Sequence, residues 1–112
     1  MKDYCVDVLP LAQSDIDGAL KYIAVELVNP KAALDLLDGF RQCFQNLKKF
    51  PFSGSELKAN GSLKYAYRWI LVDSYLVFYT VNEPNERVIV MRVLYASSDY
   101  LTVLKNDERT AE

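Results

Sequence analysis

Residues 67–80 read YRWILVDSYLVFYT, two apolar runs on either side of a short polar pair. Val, Ile, Leu, Tyr, Phe and Trp crowd both runs, and most of these fit a pleated, half-buried surface. Asp73-Ser74 supplies a two-residue turn of the kind that joins antiparallel strands. The stretch therefore predicts strands over about 65–72 and 75–82. One residue jars. Arg68 sits among aromatic and β-branched neighbours, where an unpaired guanidinium is costly to bury. Three readings fit it: projection into water, pairing with a carboxylate across the sheet, or membership of a site.

Downstream, NEPNE at residues 82–86 makes a second turn, and residues 87–95 form a third strand, so the three strands run as a meander. The tail SSDYLTVLKNDERTAE opens a short helix, with Ser97, Ser98 or Asp99 placed to cap it. Upstream, residues 51–64 (PFSGSELKANGSLK) show no apolar period and read as one long loop. Loops of that length in compact domains tend to be functional.

Before the loop, Asn29-Pro30 marks a helix start. Asn accepts from orphan amides, and Pro fits a first position that needs no N–H. Ala33, Leu37, Phe40, Phe44 and Leu47 step by four and three along an apolar stripe. The helix should stop near Phe50, ahead of Pro51. An earlier helix, about 11–27, places Ile16, Leu20, Ile23 and Leu27 on its apolar face. The short Val28-Asn29 link folds the two helices into an antiparallel hairpin. DYCVDVL, residues 3–9, alternates as a strand ended by Pro10. The expected fold is α+β in the order β-α-α-β-β-β, one domain over residues 1–112. It has the hairpin on one face of a mainly antiparallel four-stranded sheet and a short C-terminal helix.

Composition narrows the function. With 112 residues, 51% hydrophobic and 25% charged, the chain has the profile of an ordinary globular protein. No apolar run approaches the roughly 18 residues of a bilayer span. The opening MKDYCVDVLPL lacks the apolar core of a secretory signal, so the cytoplasm is the expected location and no membrane partner is expected. Histidine is absent, which excludes Ser-His and Cys-His pairs and histidine metal sites. Cys5 and Cys43 have no metal-ligand spacing and are expected to fill core positions. The net charge of −2 hides a gradient: residues 41–68 hold six Lys and Arg against Glu56 alone, while the segments on either side are acidic. Such a block is either an anion-facing surface or a solvated helix end and loop.

The element order and the run YRWILVDSYLVFYTVNEPNERVIVMRVLYASSDY resemble the RelE/ParE superfamily of toxins from bacterial type II toxin–antitoxin modules. The pieces that carry the resemblance are Tyr67-Arg68, the Asp73-Ser74 turn, Tyr75 to Tyr79, Val88 to Tyr95, and the Leu47-Pro51-Gly54 helix end. The resemblance implies a cognate antitoxin partner and no metal or organic cofactor. It also implies one of two targets: the ribosome, where RelE-like members cleave messenger RNA, or DNA gyrase, which ParE-like members inhibit. A toxin-like fold serving only as a binding module is a third possibility.

For RNA cleavage the resemblance places Arg68, Lys64, Lys58 and Tyr95 in catalytic positions. Arg68 would grip phosphate in two places and the lysines would balance charge on phosphorus. Tyr79, Arg92 and Tyr100 would contact RNA, the tyrosines by stacking on bases. Arg68 and at least one of Lys58, Lys64 and Tyr95 should then converge in a concave basic patch. The chain departs from the family where Tyr95-Ala96-Ser97-Ser98 replaces the usual His or Lys followed by arginines. A sequence pI near 5.1 also leaves only the 41–68 block to attract a polyanion.

Overall fold

Two long neighbouring strands, β4 (Tyr75–Asn82) and β5 (Arg87–Tyr95), form the spine of the molecule. In the computed structural model, which describes residues 3–110, they are joined by β1 (Cys5–Val8), β2 (Ser55–Glu56) and β3 (Arg68–Val72). The sheet order is β1-β5-β4-β3-β2. β1 lies parallel to β5, and every other pair is antiparallel. The expected four strands become five because Ser55 and Glu56, read from sequence as loop, pair with Trp69 and Arg68. β3 begins later than expected, since residues 57–67 turn away to run beneath the C-terminal helix; Tyr65 is left exposed.

The helix hairpin consists of α1 (Pro10–Lys21) and α2 (Pro30–Lys49), joined through a π-helical turn at Tyr22–Glu26. The Asn29 side chain accepts the Ala32 amide at 3.2 Å, which is the expected cap. α2 buries Ala33, Leu36, Phe40, Cys43 and Leu47, a stripe rotated slightly from the one read in sequence; Leu37 and Phe44 flank it. In α1 the buried face is Ala12, Ile16 and Ala19, while Leu27 lies beyond the helix and is exposed. Cys43 fills the core as expected, but Cys5 is exposed, because it stands at the start of the edge strand. Burial pushes the Cys43 thiol up to about 11.

A β-bulge decides which residues line each face. Phe78 pairs with Arg92 and Tyr79 with Val90, so Met91 is the extra residue. Val88, Val90 and Val93 therefore all pack on the hairpin side with Val77 and Tyr79. Met91 and Leu94 face the other side, where Tyr67, Leu76, Phe78 and Leu104 make a second core. The helix covering that face is α3 (Tyr100–Thr110). The sequence reading covered one face of the sheet; the structure covers both.

Two polar anchors hold α3 in place. Arg92 donates through Nε and Nη2 to Asp15 of α1 at 2.7 and 2.9 Å, and through Nη1 to Asp107 of α3 at 3.1 Å. Asp15 also accepts the Val93 amide at 3.0 Å, at an edge of β5 that β1 is too short to cover. The three side chains are only 15–25% exposed, so each charge depends on its partners. The second anchor is Glu108, whose carboxylate accepts the Lys64 and Tyr65 amides at 2.9 and 3.1 Å. Burial works to raise its pKa, but those amides, the neighbouring Tyr67 hydroxyl and Lys64 hold it below the usual carboxylate range.

Arg92→Ala should cost about 3–5 kcal/mol in urea unfolding, because it strands two partly buried carboxylates. Arg92→Met together with Asp15→Leu and Asp107→Leu should recover much of that loss. Glu108 gives a pH signature. With its folded pKa depressed, its contribution is complete above the ordinary carboxylate pKa and fades as pH falls through the folded value. The drop in urea midpoint from pH 7 to pH 4 should be smaller in Glu108→Gln than in the native chain.

Candidate functional site

The site implied by sequence centres on Arg68. It stands opposite Tyr79 on β4 and opposite Glu56 on β2. Its Nη1 donates to the Gly54 carbonyl at 2.7 Å and to the Phe52 carbonyl at 3.3 Å; its Nη2 reaches Glu56 at 3.4 Å. The guanidinium carbon lies 5.0 Å from the Phe52 ring centroid, within cation–π range. Of the three readings of Arg68, the structure selects cross-strand pairing with a carboxylate. The arginine clasps residues 52–56 to the sheet, and that clasp is what makes a strand of Ser55 and Glu56.

Gly54 permits this. A Cβ there would lie 2.5 Å from the Tyr79 hydroxyl and 2.8 Å from the Trp69 carbonyl. Tyr79 is completely buried and its hydroxyl accepts the Gly54 amide at 2.8 Å. Burial raises the Tyr79 pKa against the lowering effects of that amide and of Arg68. The structure thus overturns Tyr79 as an RNA-stacking residue, since no face of its ring is open to a base.

The remaining candidates do not gather around Arg68. The cleft beside it, about 400 Å³, also carries Glu56 and Glu83, so acid lies on both sides of the cation. Neither Lys58 nor Lys64 lines it. Both lysine side chains are exposed, on the segment whose backbone Glu108 holds against α3. Tyr95 pairs with Tyr75, four residues along β4 from the rung of Arg68, which is roughly 13 Å at ~3.3 Å per residue. Arg92 is committed to Asp15 and Asp107. Tyr100 packs its ring 5.2 Å from Phe78 in the second core.

The basic block is dispersed as well. Arg41 and Lys48 line a groove with Val6 and Val8 of β1, at the edge of the sheet opposite β2 and β3. Among the described residues, the basic block is thus divided between opposite edges of the sheet. A run of like charges along the chain crosses three elements that face different ways.

Sequence reasoning missed a different feature. A cleft of about 700 Å³ lies between the hairpin tip and the β3–β4 turn and is lined by Tyr22, Leu27, Asp73, Tyr75 and Tyr95 among others. Of these the sequence points only to Tyr95 as a site residue, and to Asp73 only as a turn. The overlooked signal was the apolar run at 22–25, resumed after Glu26 by Leu27 and Val28, more apolar surface than a helix end meeting water needs.

Residues 6–100 match a family model described as the ParE toxin of the type II toxin–antitoxin system, parDE. No curated protein matches the chain. Among solved structures, it resembles the toxin–antitoxin system ParDE of P. aeruginosa, with TM-score 0.65 and 14% identity over 84% of this chain and 97% of that one. It also resembles the RelBE2 complex of Mycobacterium tuberculosis, with TM-score 0.59 and 17% identity over 88% and 97%. A free RelE mutant of E. coli gives TM-score 0.57 and 11% identity over 95% and 97%.

Gly54→Ala should destabilise the chain by about 1–3 kcal/mol, the usual cost of overpacking, because the new methyl meets a buried hydroxyl and a backbone carbonyl. Thermal unfolding of the variant beside the native protein measures it.

Proposed function

The chain belongs to the ParE toxin family of type II toxin–antitoxin systems, and from that premise we propose that it arrests growth by binding DNA gyrase, without cutting RNA. The observation that carries this reading is the engagement of its arginines. Cleavage by 2′-hydroxyl attack needs cations free to take up charge developing on phosphorus. Here Arg68 is spent on Glu56 and two carbonyls, and Arg92 on two aspartates. Neither Lys58 nor Lys64 is among the residues that line the Arg68 cleft. Phosphate contacts dominate nucleic-acid affinity, and among the described residues the cleft around Arg68 gathers no second Lys or Arg.

A cognate antitoxin is the partner best supported, since the neighbouring solved structures include ParDE and RelBE systems. Apolar surface on the hairpin is suited to such a contact: Leu20, Ala24, Leu34 and Leu37 line an open groove with little polar surface.

Inducing the chain alone in bacteria tests the target. Loss of plasmid supercoiling and a DNA-damage response should precede any fall in protein synthesis, and messenger RNA should stay intact. Messenger RNA cut within minutes of induction would restore the nuclease reading. Harmless expression would leave only the binding-module reading. Arg68→Lys, which keeps the charge but loses the fork, should still arrest growth when folded; loss of arrest with the fold intact would return Arg68 to a site.

A further inference from the structure

At the end of the sheet away from Arg68, the 700 Å³ cleft has a chemistry that its apolar rim conceals. Tyr75 and Tyr95 pair across β4 and β5, with ring centroids 5.5 Å apart and planes at 81°. Two aromatic walls therefore meet nearly at right angles. Tyr22, half exposed on the π-helical turn, adds a third ring. Asp73 contributes a carboxylate from the turn, and among the described residues no Lys or Arg forms an ion pair with it. Aromatic faces carry the negative end of the ring quadrupole, so three rings and a carboxylate combine to favour a cation. The Tyr75 pKa is raised, by burial first and, among groups charged at neutral pH, by Asp73.

Leu27 of the rim and its neighbour Val28, just outside the lining, are apolar, and Val28 is strained. Leu27 is 55% exposed and Val28 is 79% exposed. Val28 holds a φ of 49°, a conformation costly for a β-branched residue. Strain of that kind concentrates at functional segments, and π-helical turns such as the preceding one do so too.

We propose that this cleft is a cage for an arginine or lysine side chain presented by a partner polypeptide, whose flanking apolar residues cover Leu27 and Val28. Competing occupants fit less well. An apolar side chain would desolvate Asp73 and leave it unpaired, which is costly. An anionic one would face the carboxylate and the ring faces. A small free cation would fill a minor part of the volume and leave the rim in water. The inference holds whichever target the toxin arrests, so either reading can fail while the other stands.

The experiment uses the full chain and two capped tripeptides, Leu-Arg-Leu and Leu-citrulline-Leu, which differ in charge and little in shape. Tyrosine ring resonances are followed by NMR. The arginine peptide should shift Tyr75 and Tyr95 and bind about tenfold more tightly than the citrulline peptide. Tyr95→Leu should weaken it by about 2- to 30-fold, the range of one cation–π contact from exposed to desolvated, and Asp73→Asn by about 1.4- to 5-fold, the range of an exposed ion pair. Tyr95→Phe, which keeps the ring, should bind nearly as well as the native chain. Both substituted positions are exposed, and a dispersed amide spectrum confirms that each variant is folded. Equal binding of the two peptides, or no tyrosine shift at millimolar peptide, overturns the cage. Binding of tetramethylammonium as tight as that of the arginine peptide overturns the polypeptide partner.

Discussion

The architecture hangs on one guanidinium held between carboxylates from two different layers. Arg92 leaves the open edge of β5, meets Asp15 on the hairpin side and Asp107 on the α3 side, and so ties together the two halves that the sheet separates. The network also solves a local problem. β1 ends at Val8, leaving the amide of Val93 without a strand partner, and the Asp15 carboxylate takes that place. Burying three charges is worthwhile only because nearly every donor has an acceptor. Among buried contacts, α3 otherwise depends on Leu104 in the second core and on Glu108 over the 57–67 segment.

The same economy explains the functional reading. A chain of net charge −2 has few cations to spare, and this one uses its strand arginines internally. Arg87 pairs with Asp7, Arg92 with two aspartates, and Arg68 with Glu56. Each bridges segments distant in sequence, a role suited to the planar fork of arginine. What remains at the surface is basic in places and acidic in others, with apolar ground at the hairpin tip. That pattern suits recognition of proteins better than recognition of a phosphate backbone.

Much of this was legible in the residues. β4 and β5 fall where β-branched and aromatic runs meet turn residues, and their ends match the expected ones. Asn29-Pro30 announced α2 correctly because capping is a local interaction. The failures share a cause. Ser55-Glu56 has no strand propensity, and becomes a strand only because a guanidinium twelve or more positions away grips the segment. Glu108 looks like a solvent-facing helix residue until its carboxylate is seen to bind amides 43 and 44 positions earlier. The bulge at Met91 shifts the inward parity of β5 with no signature in the alternation. At the candidate site, pairing of Arg68 with a carboxylate was among the possible readings; which carboxylate, and how tightly, depended on a fold the local pattern does not encode.

The parallel contact of β1 with β5 governs when the molecule can take shape. Asp7 and Arg87 meet across 80 positions, so the first strand has no strand partner until the chain has been made as far as residues 87–90. The helical pair can form early, but the surface it must bury against does not yet exist. The hairpin's apolar face therefore stays uncovered until the chain has passed residue 90, and the sheet closes over it in one late step.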